Sequence, residues 1–257
     1  MNIILVTAAE VIDQQIILND HRAVHIIKIL QSEAGDSVRI GIINGGKGTG
    51  LVVEVCKKRP FYVRLAVQIS DCTTVPVPEI DLILALPRPI MLKRILTQVA
   101  ALGIGRIFLI HAHRVEKSYW ESGLLEEDQC REYLRQGLEQ AIDTRMPQVE
   151  MHRRFKPFVE DVLPEISSGY LLRLLAHPGK HSNLAEVCAG GLGRILLAVG
   201  PEGGWLDFEV EMFQKQGFCC CSLGERILKV DTAVVALHAQ ITAMKEFLKR
   251  KMKRDCA

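Results

Sequence analysis

The stretch LAVGPEGGW, Leu197–Trp205, decides the fold predicted for the second half of this chain. An apolar run of strand length stops at a turn that holds three glycines, one proline and one acidic residue, Glu202. Further acidic residues follow in DFEVE, Asp207–Glu211, and favour the start of a helix. Ligands bind at the carboxyl ends of strands in open α/β folds. The stretch therefore predicts a strand, a glycine turn and a helix at a ligand-binding edge.

This glycine turn differs from the known phosphate-binding loops. Neither G-x-x-x-x-G-K-[ST] nor G-x-G-x-x-G occurs in the chain. A carboxylate at Glu202 also repels phosphate. A ligand with a positive centre, or a nucleoside without phosphates, fits better. On the glycines alone, an ordinary tight turn between a strand and a helix remains the alternative.

On both sides of this stretch, in the second part of the chain, apolar runs of strand length alternate with helical patterns. The strands are predicted at residues 80–86, 106–112, 170–176, 194–199 and 218–223. The last helix is predicted at 230–250, where Val234, Leu237, Ile241, Met244 and Leu248 form one apolar face. This alternation is typical of an α/β domain with a parallel sheet that is covered on both faces. Unusual loops, AHPGKH (176–181) and SLGERILKVDTA (222–233), follow two of the other strands. We expect the three loops to share one pocket.

The first part of the chain has a different pattern. Strands are predicted at 37–42, 50–56 and 62–69, a glycine-rich hairpin turn at 44–50, and one helix at 20–30 with Asp20 as its N-cap. This content suggests a small β-barrel. The proline-containing segment DCTTVPVPEI (71–80) marks a stiff connection. We therefore predict two domains, residues 1–72 and 73–257.

Composition narrows the class of protein. The chain has 257 residues, 48% of them hydrophobic, and a net charge of +2, which excludes a histone-like tail but leaves room for a local RNA-binding patch. Its eight cysteines form no C-x-x-C pair, which favours reduced thiols in a cytoplasmic protein. We expect no signal peptide and no membrane span. The histidine pairs 21/25 and 111/113 lack a third ligand, so we expect no metal.

The motifs together resemble one family. GPEGGW followed by SLGERILKVDTA is similar to the signature of the RsmE family of 16S ribosomal RNA methyltransferases, of the SPOUT superfamily. The resemblance runs along nearly the whole chain. It extends to ALPR (85–88), to LGIGRIFLIHAHR (102–114), to Glu139, Gln140, Arg145 and Pro147, to His177–Pro178, and to His25, Lys28 and the glycine turn at 46–48.

The resemblance implies a fold, an activity and partners. It implies a trefoil-knotted methyltransferase domain of SPOUT type, preceded by a PUA-like β-barrel that binds RNA, in a homodimer. It implies that the enzyme uses S-adenosylmethionine to methylate N3 of a uridine in 16S rRNA of the small ribosomal subunit. The cofactor-binding residues it implies are Leu175, His177, Gly200, Gly203, Gly204, Leu223, Gly224, Ile227 and Leu228. The RNA-binding residues it implies are His25, Lys28, Lys47, Lys93, Arg114, Arg145 and Lys229.

Two residues are expected to take part in catalysis. Arg226 is expected to stabilise the uridine anion, and Glu202 to lie near the sulfonium or the substrate. For Glu202, a role in capping a loop remains an equal alternative. Several positions depart from the family pattern, namely Gln98, Ala101, Leu206, Lys229 and Asp231. Because Leu206 replaces a helix-capping serine, we expect Asp207 to cap that helix instead.

Two rival interpretations remain open on the sequence. One is a non-catalytic RNA-binding module that acts in ribosome assembly, which the departures at Gln98, Ala101 and Lys229 allow. The other is a nucleotide-dependent enzyme that acts on small molecules, against which the missing phosphate motifs count. The intact GPEGG and SLGERIL stretches favour the methyltransferase, because an inactive site requires neither.

Overall fold

The structure is a computed structural model that describes residues 2–70, 77–179 and 193–255, together with Leu184 and Val187. The chain forms two compact units, residues 1–76 with 135–146 and residues 77–134 with 147–257. The grouping of 135–146 with the first unit was not predicted. Residues 71–76, where the predicted domain boundary at 72/73 falls, lie outside the described residues. The boundary therefore stays a prediction.

The first unit contains a five-stranded, mostly antiparallel sheet. Its strands are β1 (Ile4–Val6), β2 (Gln15–Leu18), β3 (Ser37–Ile42), β4 (Lys47–Cys56) and β5 (Tyr62–Ile69). Their order is β1-β3-β4-β5-β2, and only the β1–β3 pair is parallel. The three strands predicted here are present. β1 and β2 were missed because runs of three and four residues are too short to show a clear period. A closed barrel remains a prediction.

A helix crosses this unit between β2 and β3. Helix α1 (His21–His25) continues as one π-helical turn, Ile26–Leu30, and a short 3-10 helix, Ala8–Glu10, precedes β2. The Asp20 carboxylate accepts the backbone N–H of Arg22 at 2.8 Å, so the predicted N-cap is confirmed. The core of the unit consists of alternate apolar residues of the strands with Ala23 and Ile26 of the helix.

The glycine turn between β3 and β4 is shorter than predicted. β4 begins at Lys47 rather than Gly50, so Gly48 lies within the strand. A Cβ atom on Gly48 would lie 1.9 Å from the carbonyl oxygen of Gln68 on β5, which only glycine avoids. Thr144 anchors the turn, because its hydroxyl donates to the Gly45 carbonyl at 2.7 Å and its own carbonyl accepts from Asn44 at 2.7 Å.

The second unit contains a six-stranded parallel sheet. Its strands are β6 (Ile80–Ala85), β7 (Arg106–Ile110), β8 (Gln148–His152), β9 (Leu172–Ala176), β10 (Ile195–Val199) and β11 (Cys219–Cys221). Their order is β11-β9-β10-β6-β7-β8. Every residue of β6 and β10 is buried, as expected for central strands covered on both faces. The predicted α/β class with a parallel sheet is therefore confirmed. β8 was missed because QVEMH is a half-exposed edge strand with polar residues.

Helices alternate with these strands along the chain. They are α2 (Pro89–Ala101), α3 (Glu127–Ala141), α4 (Phe155–Pro157), α5 (Leu163–Ser167), α6 (Asp207–Lys215) and α7 (Val230–Asp255), with a π-helical turn at Phe158–Val162 and 3-10 helices at Lys117–Glu121 and Gly123–Leu125. The part of α3 from residue 135 onward belongs to the first unit. Helix α7 packs on α2 and on β10. Of its predicted apolar face, Val234, Leu237 and Ile241 are buried, and Met244 and Leu248 are half-buried.

A buried carboxylate ties the amino ends of the strands together. Asp81 on β6 is fully buried and accepts the backbone N–H of Arg106, at the start of β7, at 2.8 Å. It also accepts the hydroxyl of Tyr170 and pairs with the guanidinium of Arg194 at 2.5 Å. Burial, followed by the hydrogen bond to Asp81, raises the pKa of Tyr170. Asp81 thus links residues at the starts of β7, β9 and β10.

This network predicts a loss of stability at alkaline pH. The pKa of Tyr170 is raised in the folded state, so the unfolded chain loses the phenol proton first, and stability falls as pH rises above about 10. Replacing Tyr170 by Phe removes a hydrogen bond to a buried carboxylate, which costs about 1.5–3 kcal/mol at pH 7, and makes the alkaline decline shallower.

Urea unfolding between pH 7 and 11, followed by tryptophan fluorescence, measures this effect. Both tryptophans, Trp120 and Trp205, belong to the second unit. Tyr133→Phe, at a ring that lies 5.5 Å from the Lys93 ammonium, is the matched control. Parallel stability curves for the wild type and Tyr170→Phe would contradict the assignment.

Candidate active site

A cavity of about 660 Å³ lies at the carboxyl ends of β9, β10 and β11. The parallel register places Ala176 beside Val199 and beside Cys221, so the three strands end at the same level. The loops that follow them line the cavity, as predicted. Lining residues come from 176–178, 199–205, 221–224 and 226–230, from Arg88, Ile90 and Met91 around the start of α2, and from Ala233 and Leu237 of α7. Lys180 and His181 of the predicted AHPGKH loop lie outside the described residues.

The loop after β10 is held close to a buried indole. Trp205 is 3% exposed and packs edge-on against Phe213, with ring centroids 5.2 Å apart. A Cβ atom on Gly200 would lie 3.0 Å from the Trp205 Nε1 atom and 3.1 Å from Cε2. Gly204 has a φ of +75°, a conformation that glycine adopts without strain. Glycine is therefore required here both for close approach and for backbone shape.

Two side chains fix the same loop from outside the cavity. The Arg114 guanidinium donates to the carbonyl oxygen of Gly203. Glu209, fully buried in the first turn of α6, accepts the backbone N–H groups of Leu206 and His113, both at 2.8 Å. The prediction that Asp207 caps α6 is wrong. Asp207 is the first helical residue, and Glu209 satisfies the N–H of Leu206 at the N-cap position.

Glu202 joins the glycine loop to the start of α2. Its carboxylate accepts the backbone N–H of Arg88 at 3.1 Å. The hydrogen bond from the Arg88 side chain to Tyr119, and then the charges of Tyr119 and Glu202, raise the pKa of Arg88. Glu202 is exposed on the cavity wall. It is therefore placed both to hold the loop and to meet a positively charged ligand.

The segment after β11 is open to solvent. Arg226, Ile227, Leu228 and Lys229 line the cavity and are exposed, with Ile227 at 83%. Within the part of the chain that the structure describes, Arg226 forms no ion pair. Its charge is therefore available to a ligand or to the anionic form of a substrate.

Most of the cofactor-binding residues predicted from the sequence line this cavity. They are His177, Gly200, Gly203, Gly204, Leu223, Gly224, Ile227 and Leu228. Leu175 is not among the lining residues, because its side chain is fully buried within β9. The two residues predicted to be catalytic, Glu202 and Arg226, line the cavity as well.

Other lining residues were missed, although some left a signal in the sequence. Arg88 belongs to the quoted ALPR motif and directly follows a predicted strand, which points to the same edge. Cys221 ends β11, and the sequence pattern of the cysteines indicates only reduced thiols. Trp205 closes the GPEGGW motif, but nothing in the sequence shows that its ring underlies Gly200. The tethering roles of Glu209 and Arg114 depend on contacts 96 and 89 residues away along the chain.

The RNA-binding residues predicted from the sequence are distributed over both units. Arg114 and Lys229 lie at the site, and Lys93 lies on α2 of the same unit. In the first unit, the Lys28 ammonium lies 5.1 Å from the Phe61 ring centroid, and Lys47 donates to the Ile142 carbonyl at 2.6 Å. His25 and Arg145 belong to that unit too. All seven stay predictions.

Neither a metal centre nor a membrane-spanning helix is present among the described residues. Among the described residues, no group of three or more His, Cys, Asp or Glu side chains is arranged to hold a metal ion. Across the described ranges, no helix combines the length and the apolar character needed to cross a membrane.

The buried carboxylate of Glu209 predicts an effect on stability. In Glu209→Gln the amide keeps one acceptor oxygen but turns an NH₂ group toward the second backbone donor, which costs about 1–3 kcal/mol. A thermal scan should show a lower Tm by several degrees. Glu211→Gln, an exposed position on the same helix, is the control. Equal melting temperatures for the two variants would show that Glu209 is not a tether.

Comparisons with known proteins agree with this geometry. The family model described as RNA methyltransferase domain matches residues 73–242. Ribosomal RNA small subunit methyltransferase E of Treponema pallidum is 32% identical over 258 residues, covering 99% of this chain and 95% of that protein. Ribosomal RNA small subunit methyltransferase E 1 of Borreliella burgdorferi is 26% identical over 245 residues, covering 95% of this chain and 98% of that protein.

Solved structures show the same fold. The ribosomal RNA small subunit methyltransferase E of Neisseria gonorrhoeae, bound to S-adenosyl methionine, aligns with a TM-score of 0.76 at 20% identity, over 95% of this chain and 98% of that one. A methyltransferase of Legionella pneumophila in complex with SAM aligns with a TM-score of 0.74 at 19% identity, over 94% and 97% of the two chains. On the matched domain and the full-length relatives, this chain belongs to the RNA methyltransferases of the ribosomal RNA small subunit methyltransferase E (RsmE) family.

Proposed function

We propose that this protein is an S-adenosylmethionine-dependent methyltransferase that modifies N3 of one uridine in 16S rRNA of the small ribosomal subunit. The observation that carries the proposal is the meeting of the GPEGG and SLGERIL loops in one cavity at the ends of adjacent parallel strands. Family membership supports the reaction class. The choice of N3 and of uridine rests on the resemblance of the motifs.

The residues present fit S-adenosylmethionine. A cavity of about 660 Å³ is in the range of small-molecule sites. The Gly200 backbone packs directly against the buried Trp205 ring, and both residues line the cavity. Glu202 suits a cationic sulfonium, and S-adenosylmethionine carries no phosphate for that carboxylate to repel. When bound, the cofactor supplies a methyl group activated by the positive charge on sulfur.

The loops divide the binding of the cofactor between them. We assign the adenine and methionine portions to the backbone and apolar side chains of the three loops. The predicted residues are Leu175, His177, Gly200, Gly203, Gly204, Leu223, Gly224, Ile227 and Leu228. Leu175 contributes through its strand, which positions Ala176 and His177 at the rim. Trp205 and Cys221 extend this set, since both line the cavity.

Arg226 and Glu202 act on the reaction in different ways. N3 of uridine must lose its proton, to water or to a base, and the negative charge that remains spreads over the uracil ring. The anion would then take up the methyl group as the bond from that methyl to sulfur breaks, which would leave a neutral thioether. Arg226, which has no ion-pair partner in the described ranges, stabilises that charge. Glu202 holds the start of α2 through the Arg88 N–H and turns its charge toward the cavity. It is a positioning residue as well as an electrostatic one.

The remaining features of the proposal come from the family resemblance. We propose a SPOUT-type trefoil knot in the second unit, a PUA-like RNA-binding barrel in the first, a homodimer, and a cytoplasmic protein. The curled sheet of the first unit, with parallel and antiparallel pairs, suits such a barrel. RNA contacts are assigned to His25, Lys28, Lys47, Lys93, Arg114, Arg145 and Lys229. Because Lys229 replaces an arginine, its contact is a single point charge.

A methyl-transfer assay tests the proposed function. Purified protein is incubated with radiolabelled S-adenosylmethionine and small subunits that lack the modification. We expect label in 16S rRNA as 3-methyluridine. Arg226→Ala should lower kcat about 100-fold, because the positive charge that stabilises the developing anion is lost. Arg131→Ala, which removes an exposed arginine paired with Glu127 at 3.4 Å outside the cavity, is the control.

The outcomes separate the rival interpretations. Cofactor binding without label in RNA would favour the non-catalytic assembly module. Absence of cofactor binding would overturn the methyltransferase assignment altogether. Full activity of Arg226→Ala would leave the enzyme in place but remove Arg226 from the reaction.

Cofactor affinity tests the close approach at Gly200. In Gly200→Ala the new methyl group pushes against the Trp205 ring, and overpacking of this kind costs about 1–3 kcal/mol. Calorimetric titration should show S-adenosylmethionine bound about 10-fold more weakly. In the control Gly123→Ala, the nearest atom to the new Cβ is the Glu126 Oε1 at 3.7 Å. Unchanged affinity in Gly200→Ala would mean that the ligand does not rest on this turn.

A further inference from the structure

The structure points to an RNA contact outside the cavity, which deepens the proposed function and rests on it. We infer that Phe208 is a platform on which one base of the RNA substrate stacks, and that Arg154 and Lys156 bind the RNA backbone beside it. None of these three residues lines the cavity or belongs to the motifs that identified the family.

Phe208 is exposed where other rings of its cluster are buried. It is the second residue of α6 and is 42% exposed, whereas Phe155, Trp205 and Phe213 are at most 8% exposed. It follows the GPEGGW motif directly, only three residues after Trp205, which lines the cavity. Single exposed apolar residues are common on protein surfaces, and it is the surroundings of this ring that set it apart.

The ring of Phe208 is held in place from two sides. It contacts His113 edge-on, with centroids 6.3 Å apart at 86°, and Phe155 in the same manner at 6.2 Å and 83°. The backbone of His113 is held in place, because its N–H donates to buried Glu209. Phe155 packs against Phe213 with centroids 5.6 Å apart. A preorganised ring loses little conformational entropy on binding, which is what a recognition surface requires.

Positive charge accompanies this ring. Phe155 belongs to the sequence RRFK, residues 153–156, in which the phenylalanine is buried and the three basic residues are exposed. The Arg153 guanidinium lies 5.3 Å from the Trp120 ring centroid and is partly engaged there. Arg154 and Lys156 form no ion pair within the described part of the chain. The acidic residues Asp207 and Glu211 on α6 repel phosphate. We therefore assign the phosphate contacts to Arg154 and Lys156.

This combination favours RNA over a protein partner. Single-stranded RNA is bound by stacking of its bases on aromatic rings and by basic side chains on its phosphates. The core of a protein–protein interface is typically an apolar patch of several residues in which charged side chains are rare. A preformed ring that lies three residues from the cavity-lining Trp205 and packs on the phenylalanine of RRFK therefore fits a nucleotide that flanks the one entering the active site.

The first test is the effect of Phe208→Ala on methyl transfer to small subunits. We expect KM for the subunit to rise about 10-fold, because the loss of one stacking ring weakens RNA binding to that extent. The kcat and the Kd for S-adenosylmethionine should stay near the wild-type values. Phe208→Tyr keeps the ring and should restore KM. Phe247→Ala, which removes a 67% exposed phenylalanine from α7, is the control.

A binding measurement makes the test independent of activity. Fluorescence anisotropy with a labelled oligouridylate, and filter binding with protein-free 16S rRNA, should show weaker binding by Phe208→Ala than by the wild type. The double variant Arg154→Gln/Lys156→Gln should flatten the dependence of log Kd on log salt by about 1.4, for two phosphate contacts to single-stranded RNA. Lys215→Gln, at the exposed far end of α6, should leave the slope unchanged.

Each outcome is distinguishable from failure of the proposed function. Loss of methyl transfer by the wild type would overturn that function, while the binding arm would still decide whether Phe208 contacts RNA. Equal KM and equal RNA affinity for Phe208→Ala and the wild type would overturn the stacking inference. It would be overturned too by weaker cofactor binding in Phe208→Ala, which indicates a structural role. Weaker binding to subunits with unchanged binding to protein-free rRNA would indicate a ribosomal protein as the partner.

Discussion

The parallel pairing of β11, β9 and β10 is the constraint on which the candidate site depends. In parallel strands, every carboxyl end meets the same edge of the sheet, and the register here brings Ala176, Val199 and Cys221 to one level. Three loops that are distant in sequence therefore open side by side. The buried Asp81 network acts at the other end of the strands, where it links the residues that begin β7, β9 and β10. The candidate site thus lies at the carboxyl edge of the sheet, and the Asp81 network links the strands at the opposite, amino edge.

The glycine loop gains its shape from neighbours rather than from its own side chains. Glycines give a backbone that approaches a ligand closely, but they also leave it free to adopt other shapes. Three tethers remove that freedom: Arg114 at the Gly203 carbonyl, Glu209 at the Leu206 N–H, and Glu202 at the Arg88 N–H. Because the loop is already ordered before the ligand binds, little free energy of binding is lost in ordering it. Of the three tethers, only Glu202 lies on the cavity wall.

The distribution of charge suits an enzyme that handles a cationic cofactor and an anionic polymer. The net charge is only +2, so attraction to RNA must come from local groups of basic residues. Arg226 and Lys229 lie at the cavity, and Arg154 and Lys156 lie close in sequence to the aromatic cluster beneath α6. Glu202 supplies the opposite sign on the wall of the same cavity as Arg226 and Lys229. Under the proposed function, this arrangement allows one site to accept a sulfonium and to stabilise a uracil anion.

The sequence by itself determined the class of fold and the three loops of the site, because these depend on local patterns. Apolar runs that alternate with helical periods indicate a parallel sheet, and GPEGGW and SLGERIL stand at strand ends whatever the packing around them. Local pattern failed where a short or half-polar segment becomes a strand through its partner alone, as with β1, β2 and β8. It failed again at Asp207, whose predicted capping role belongs to Glu209. Only the tertiary structure decided three features of the site. Glu209 and Arg114 tether the loop, Trp205 underlies Gly200, and Phe208 stays exposed. Each feature depends on atoms that packing brings together from distant parts of the chain, and no local sequence pattern records such contacts.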